Sequence, residues 1–406
     1  MKAKQFSMFP TFPEPHRPIP VLHIITRLIV GGAQENTLYT AMLLDKERYA
    51  VEVLSGPQIG SEGSLIEEGR ANGITITLLP ELVRQVNPYL DSIALWKMVR
   101  YIRGRKFKIV HTHSSKAGIL GRIAAKFAGV PSIIHTVHGW SFHDHMHPVS
   151  RYVYILLERF CARFTDALIV VTNRDLKKGL EAGIGKPSQY HLIRSAIPLE
   201  EFNPAHSNRD MIRQQLGLPI HAPVLGTVGR FSTQKNPLEW VKVAKIVSQE
   251  VSECRFLMVG DGPLRPQVES LLVEIGLKDK TILQGIHRDI PQMMSAMDVF
   301  LLTSRWEGLP RVIPQAMSMG LPVVATSVDG STEVIEDGAN GFLCPSGDVN
   351  CLAERCLEIL RSVELRQAFS QAGREAALRN FDLSQMISQI DALYNELLFR
   401  SHASTG

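Results

Sequence analysis

Four side chains in this 406-residue chain have the types and spacing of a site for a charged, hydroxyl-rich ligand. Glu307 stands in the turn "WEGLP" with Gln315 eight positions later, and Arg230 and Lys235 lie five apart in "VGRFSTQKNP". A carboxylate accepts hydrogen bonds from two sugar hydroxyls, and the backbone amides of Gly308 and Leu309, beside Pro310 where a helix is expected to begin, can face an anion. Two cations where a strand ends and a helix begins are unfavourable alone, because a helix amino end prefers anions by ~0.3–1 kcal/mol. A diphosphate reverses that balance; two solvated surface charges are the alternative reading. Sugar plus diphosphate is a nucleotide sugar.

These residues need a scaffold that brings them together. From residue 21 short β-branched runs alternate with helical stretches, the pattern of parallel sheets covered by helices. "VLHIIT" (21–26), "KIVHTH" (108–113), "SIIHTVHG", "DALIVVT" and "YHLIR" are the strands of a first series. In the helix after "KIVHTH", Ile119, Ile123 and Phe127 recur every four residues as its expected apolar face. A Pro-rich and polar stretch at 195–222 reads as a linker. "PVLGTVG" (223–229), "CRFLMVG" (254–260), "TILQG" (281–285), "DVFLLT" (298–303) and "PVVAT" (322–326) form a second series. The chain is too long for one core and suits two domains of about 150–200 residues. The expected organisation is an extension (1–20), a first domain (21–200), a second (201–382), and a final helix (383–400). That helix carries Met386, Ile387, Ile390, Leu393, Leu397 and Leu398 on one face.

In open α/β sheets ligands bind beyond the carboxyl ends of strands. Gly31-Gly32, His111, His113, His138 and Gly139 sit at such ends in the first series. Gly260, Gly262, Gln284 and Gly285 do so in the second, with Arg230 and the Glu307 turn. Gly31-Gly32 is either a tight turn or an approach for a phosphate at a helix end, and it lacks the third glycine of a dinucleotide site. "GDGPLR" fails that test too, with Arg265 in the third position.

A net charge of +4 argues against a nucleic-acid partner. Five widely spaced cysteines without Cys-x-x-Cys argue against a disulfide framework or a zinc ribbon and fit a reducing cytoplasm. The first twenty residues lack the apolar core of a signal peptide or anchor, and no later apolar run reaches the roughly 18 residues of a spanning helix. Any membrane contact is therefore expected to be peripheral, with the basic, aromatic segment 96–108 as its candidate site and a solvated helix face as the alternative. His143, His145 and His147 alternate, but no further ligand converges on them in the sequence, so no metal is expected.

The chain resembles the retaining glycosyltransferases of family 4, whose GT-B fold sets two Rossmann-like, doubly wound parallel-sheet domains face to face with a C-terminal helix crossing back. The resemblance runs from about residue 21 to 400. It is carried by "GGAQ", "HTHSSKAGILGRIAAKFAGVPSIIHTVHG", "VGRFSTQKNP", "FLMVGDGP", "EGLPRVIPQAMSMGLPVVAT" and "GSTEVIEDGANGFL". It implies transfer of a sugar, with a UDP-sugar favoured as donor, to a glycan or lipid-linked acceptor, with retention and without a metal or other cofactor. It assigns Glu307 to donor-sugar hydroxyls, Arg230 and Lys235 to the diphosphate, His138 to the sugar and Gly31-Gly32 to phosphate or acceptor. The family's second glutamate is Gln315 here. A hydrogen bond to a charged group contributes roughly 1.5–3 kcal/mol and a neutral one about 1, so this change weakens ribose binding several-fold without abolishing it. The linker's "SAIPLEEF" lacks the family's Asn and Asp, and no role is carried onto it. Base contacts fall near Gln284 to Ile286.

Two other activities share the architecture: an epimerase or hydrolase of nucleotide sugars, and a non-catalytic binding subunit. On the sequence alone Glu307 is an exposed loop carboxylate, so Glu307→Ala is expected to abolish transfer and spare the fold.

Overall fold

The computed structural model describes residues 17–58, 63–142 and 146–403. Two all-parallel sheets carry it. The first joins β1 (Ile19–Ile25), β2 (Tyr49–Ser55), β3 (Thr75–Leu78), β4 (Ile109–His113), β5 (Ser132–Val137), β6 (Ala167–Val170) and β7 (Tyr190–Leu192) in the order 3-2-1-4-5-6-7. The second joins β8 (Val224–Val228), β9 (Arg255–Val259), β10 (Thr281–Gly285), β11 (Val299–Leu302), β12 (Val323–Thr326) and β13 (Phe342–Cys344) in the order 10-9-8-11-12-13. Each is a doubly wound sheet whose strand order reverses once, between β1 and β4 and between β8 and β11. The loops leaving these strands diverge at the reversal and open a crevice there. This is the two-domain α/β architecture expected from the alternating pattern.

Strand β1 begins at Ile19, so the amino-terminal extension is shorter than the expected 1–20. Most of it lies outside the described residues, as do His143 and His145. His147 caps the Pro148–Ala162 helix by accepting from the Val149 N–H.

The helix Ser115–Ala128 buries Ile119 of its expected face, leaves Ile123 half-buried, and turns mainly small residues to the sheet. Phe127 is exposed, while Ala117, Gly118, Gly121, Ala124 and Ala125 face the sheet. Small residues let the helix sit close: a Cβ on Gly118 would lie 2.5 Å from the His135 ring. Gly129, left-handed at φ 75°, ends it.

The chain crosses between domains twice, side by side. Ile197 donates to the Phe381 carbonyl at 3.0 Å, and Ile197 and Asp382 form a parallel bridge. After this second crossing, the helix Leu383–Ala403 returns to the first domain. Its Met386, Ile390, Leu393, Leu397 and Leu398 are buried with Val21, Ile109, Ile134 and Ile169, and Ile387 is partly buried against them.

The cysteines depart from the unpaired set expected. Cys344 and Cys351 form a single disulfide, because the turn between β13 and the Val349–Arg361 helix folds the chain back within seven residues. Cys161, Cys254 and Cys356 are buried thiols, all three pushed up by burial, Cys161 to about 11 and Cys254 to about 12.

Candidate functional site

The two switch-point crevices face each other across a cavity of about 950 Å³. Gly31, Gly32 and His138 line it from the first domain, and Arg230, Lys235, Gly260, Gly262, Glu307, Gly308, Leu309, Pro310 and Gln315 from the second. Gln284 and Gly285 do not line it. They end β10, where the Gly285 carbonyl accepts from the Gly260 N–H at 2.7 Å, and Ile286 and His287 take the cavity wall instead.

Glu307 is held in the loop after β11. Its carboxylate accepts from Lys235 Nζ at 2.5 Å, from Ser304 Oγ at 2.6 Å and from Gln234 Nε2 at 3.4 Å, and its side chain is only 6% exposed. The expectation of an exposed carboxylate is therefore overturned: three converging donors solvate it in place of water. The cation at the helix amino end already has an anion. The loop bearing Lys235 is fixed in turn, because Thr303 Oγ1 donates to the Lys235 and Asn236 carbonyls at 3.2 and 3.1 Å.

Glycines bring the walls together. A Cβ on Gly308 would lie 2.1 Å from the His138 carbonyl, so the Glu307 loop can meet the first domain only through a glycine. Gly260, at φ 139°, packs its α-carbon against the Gly229 carbonyl, and a Cβ there would lie 2.0 Å from it. That seats the "GDG" loop on the segment leading to Arg230. Gly31 is extended, so its position needs no special backbone freedom. The short helix expected near Pro310 begins at Val312, with Gln315 buried within it at the cavity edge.

Among the described residues three carboxylates line the cavity, Glu35, Asp261 and Glu307, and each is ion-paired, with Arg311, Arg265 and Lys235. Arg27, Arg84 and Arg230 line it in addition. Sequence reasoning missed Arg311, the cap residue of the Val312–Ser318 helix. Its Nη2 is buried without a partner among the described residues. The signal was present: a second cation at a helix amino end, in the same "EGLPRVIPQ" stretch as Glu307.

His138 keeps an edge open to the cavity while surrounding atoms exclude water, which holds its pKa near 3, with the Arg311 charge adding to the effect. It is a neutral hydrogen-bonding group at neutral pH. His111 and His113 lie behind it, fully buried and away from the cavity.

His23, His111 and His113 have ring nitrogens close enough to suggest a metal cluster. The facing nitrogens of His23 and His113 are 2.9 Å apart, a direct hydrogen-bond distance, and among the described residues no carboxylate joins the group. The cluster is a hydrogen-bonded set of imidazoles.

The chain matches the family description "Glycosyl transferases group 1" over residues 208–376 and "Glycosyl transferase 4-like domain" over 31–194. It is 30% identical over 386 residues to the Escherichia coli UDP-Gal:alpha-D-GlcNAc-diphosphoundecaprenol alpha-1,3-galactosyltransferase, covering 94% of this chain and 98% of that one. The chain is a family 4 glycosyltransferase. It is also 26% identical to the putative glycosyltransferase EpsD of Bacillus subtilis, over 75% of this chain and 81% of that one. Its GT-B fold is shared with Anabaena HepE, solved in complex with UDP and glucose, at a TM-score of 0.79 and 22% identity over 93% of this chain and all of that one.

Proposed function

We propose that this glycosyltransferase moves a hexose from a UDP-sugar to a hydroxyl of a lipid-linked glycan, with retention at the anomeric carbon and without a metal, in building a surface polysaccharide or glycolipid. The observation that carries this reading is the Lys235–Glu307 pair at 2.5 Å, with Arg230 on the same wall. Glu307 has acceptor capacity left for sugar hydroxyls. Lys235 and Arg230 are placed to stabilise charge developing on a departing diphosphate. All three carboxylates of the cavity are already paired with cations, so the site is built for anionic phosphate oxygens rather than for a hard cation. As the sugar–phosphate bond breaks, a phosphate oxygen of the leaving UDP takes the acceptor hydroxyl's proton while the acceptor oxygen bonds to the same face of the anomeric carbon.

The Escherichia coli relative, which uses UDP-Gal and a GlcNAc-diphosphoundecaprenol, supports UDP and a diphospholipid acceptor. Surface chemistry supports a lipid acceptor too, from an element other than the expected 96–108. In that segment Lys97 pairs with Glu81, Arg105 with Glu52, and Arg103 donates to the Phe127 carbonyl. The Pro148–Ala162 helix instead exposes Val149, Tyr152, Val153, Leu156, Leu157 and Phe160, the three- and four-residue spacing of one face. Its only acid, Glu158, is buried against Arg122 at 2.6 Å, while Arg151, Arg159 and Arg163 are exposed. An apolar face with basic flanks suits the interface of an anionic bilayer. No helix among the described residues is long and apolar enough to cross a membrane, and contact on this reading is peripheral.

Calorimetry against UDP, GDP, CDP and ADP, each with and without magnesium, tests the donor. Tight binding of UDP alone, unchanged by magnesium, is expected. Binding of another nucleotide in its place, or binding that requires magnesium, overturns the donor reading. Transfer from UDP-galactose to a GlcNAc-diphospholipid, with the product's anomeric configuration read by proton NMR, tests acceptor and stereochemistry.

A further inference from the structure

Behind the cavity a file of buried polar rings runs from His138 to the C-terminal helix. His138 Nε2 faces His113 Nδ1 at 3.2 Å, His113 Nε2 faces His23 Nδ1 at 2.9 Å, and His23 Nε2 faces the Tyr394 hydroxyl at 3.2 Å. The same hydroxyl meets His111 Nδ1 at 2.7 Å, and His111 Nε2 meets Thr136 Oγ1 at 2.7 Å. The His23 and His113 rings are nearly parallel, at 9°, with centroids 5.2 Å apart and nitrogens only 2.9 Å apart. They therefore meet edge to edge, in line for a proton.

We propose that Tyr394 is a positioning residue for His138: through His23 and His113, its hydroxyl decides which nitrogen of the His138 ring carries the proton. A neutral imidazole has one N–H donor and one bare acceptor, so the file can be ordered in only two directions. In one, Tyr394 donates to His23, His23 to His113 and His113 to His138. His138 then presents Nδ1–H toward the cavity, while His111 donates to Tyr394 and Thr136 to His111. In the other, every bond reverses and His138 presents a bare Nδ1. Burial keeps His23, His111, His113 and His138 neutral, which sustains the alternation. A ligand oxygen acting as acceptor selects the first order, and a ligand hydroxyl acting as donor selects the second. The crossing-back helix is on this account part of the site, since its Tyr394 hydroxyl joins His23 to His111 and carries the order of the file through to His138.

The inference rests on the transferase reading for its kinetic consequence, but not for its structural one. The full chain is labelled with 15N-histidine, and ring shifts, assigned with His138→Asn, report each tautomer without substrate. Tyr394→Phe removes the hydroxyl, and His23→Leu cuts the file with the sequence of the C-terminal helix and its Tyr394–His111 contact unchanged. In both, the His138 tautomer population is expected to shift. Kcat is expected to fall about tenfold with donor KM within about twofold, since His138 stays in place and only its polarity is lost. An unmoved His138 tautomer in both folded variants overturns the proposal, and so does a moved tautomer with unchanged kcat. Absence of transfer in the wild type counts against the function reading alone, because the tautomer measurement still decides the relay.

Discussion

Arg311 and Glu35 meet at 2.6 Å from opposite domains, and this pair ties the cleft shut beside its own cavity. Arg311 also donates to the Ala196 carbonyl at 2.9 Å and the Gly32 carbonyl at 3.2 Å, so one guanidinium spans the linker, the first helix and the Glu307 loop's helix. A parallel tie lies across the cleft. Glu333 of the second domain accepts from the Arg174 backbone N–H at 2.8 Å and from Asn173 at 3.1 Å, at the amino end of the Asn173–Glu181 helix, where a carboxylate is favoured.

Arg311→Met keeps the length of the stem and removes the fork. Glu35 then lies in a partly buried place without its cation, at a cost of about 1–3 kcal/mol. The expected outcome is a larger radius of gyration by small-angle scattering and a kcat/KM lower by roughly 10- to 100-fold. A variant as compact and as active as the wild type would remove Arg311 from both roles.

Glu307→Gln is the informative change at the donor loop, and Glu307→Ala is not. Alanine leaves Lys235, Ser304 and Gln234 facing a hole, so loss of activity would be mixed with loss of stability of about 1–3 kcal/mol. Glutamine keeps the shape and one acceptor oxygen. Transfer is expected to fall by about 10²-fold or more with the melting temperature lowered by only a few degrees. Retention of most of the rate in a folded Gln variant would rule out a charged role for Glu307.

How much of this was legible before the fold was known depends on range. The strong strands read directly because fully buried parallel strands are continuous apolar runs, as in "DVFLLT" and "PVVAT". Three others did not: "YAVEVLS", inside the first sheet, is interrupted by Glu52 and an exposed Ala50, while the edge strands "TITL" and "FLC" have only four and three residues. The fold class sends strand ends toward one crevice, and Gly31, Gly32, His138, Arg230, Gly260 and Gly262 do line the cavity, whereas Gln284, Gly285, His111 and His113 do not. Partnership was illegible. Lys235 and Glu307 are 72 residues apart and Arg311 and Glu35 are 276 apart, so the folded second domain is needed to show the first pairing and the closed cleft to show the second.

Gln315→Glu tests the departure from the family pattern. Gln315 lines the cavity and is nearly buried in its helix. A carboxylate accepts more strongly from ribose hydroxyls, so UDP affinity by calorimetry is expected to stay the same or rise several-fold. A marked loss of affinity would show that the amide N–H donates to the ligand.

Stability should depend on pH through the buried histidines. His23 and His138 are depressed to about 3 by burial, so between pH 6.5 and 3 the unfolded chain binds more protons than the folded one. Their contribution is complete above pH 6.5 and is lost as pH falls toward 3. At pH 5 each such histidine costs about 2 kcal/mol relative to neutral pH. Asp175, raised to about 6 by burial, and Asp166 and Glu201, also raised by burial, act in the opposite sense over part of this window, against the lowered histidines His23, His111, His113, His135 and His138. The melting temperature is expected to drop steadily from pH 7 to pH 5, and His23→Leu is expected to flatten the slope. A wild-type profile that is level across this range would mean that water reaches the histidines.

The exposed face of the Pro148–Ala162 helix gives the last prediction. Leu156 and Phe160 are 42% and 49% exposed, so replacing them does not open the core. Leu156→Glu with Phe160→Glu puts two charges where an acyl boundary would lie and cancels the attraction of Arg159 and Arg163 for anionic lipid. Because each basic residue near such a surface contributes about 1 kcal/mol, binding to vesicles with an anionic lipid fraction should weaken by at least tenfold in a sedimentation assay. The melting temperature should stay within a degree or two, since surface changes are usually within about 0.5 kcal/mol. Transfer to a short-chain, water-soluble acceptor should be unaffected, while transfer to a long-chain lipid acceptor in vesicles falls. Equal vesicle binding by the wild type and the double variant would assign the apolar face to a protein partner instead.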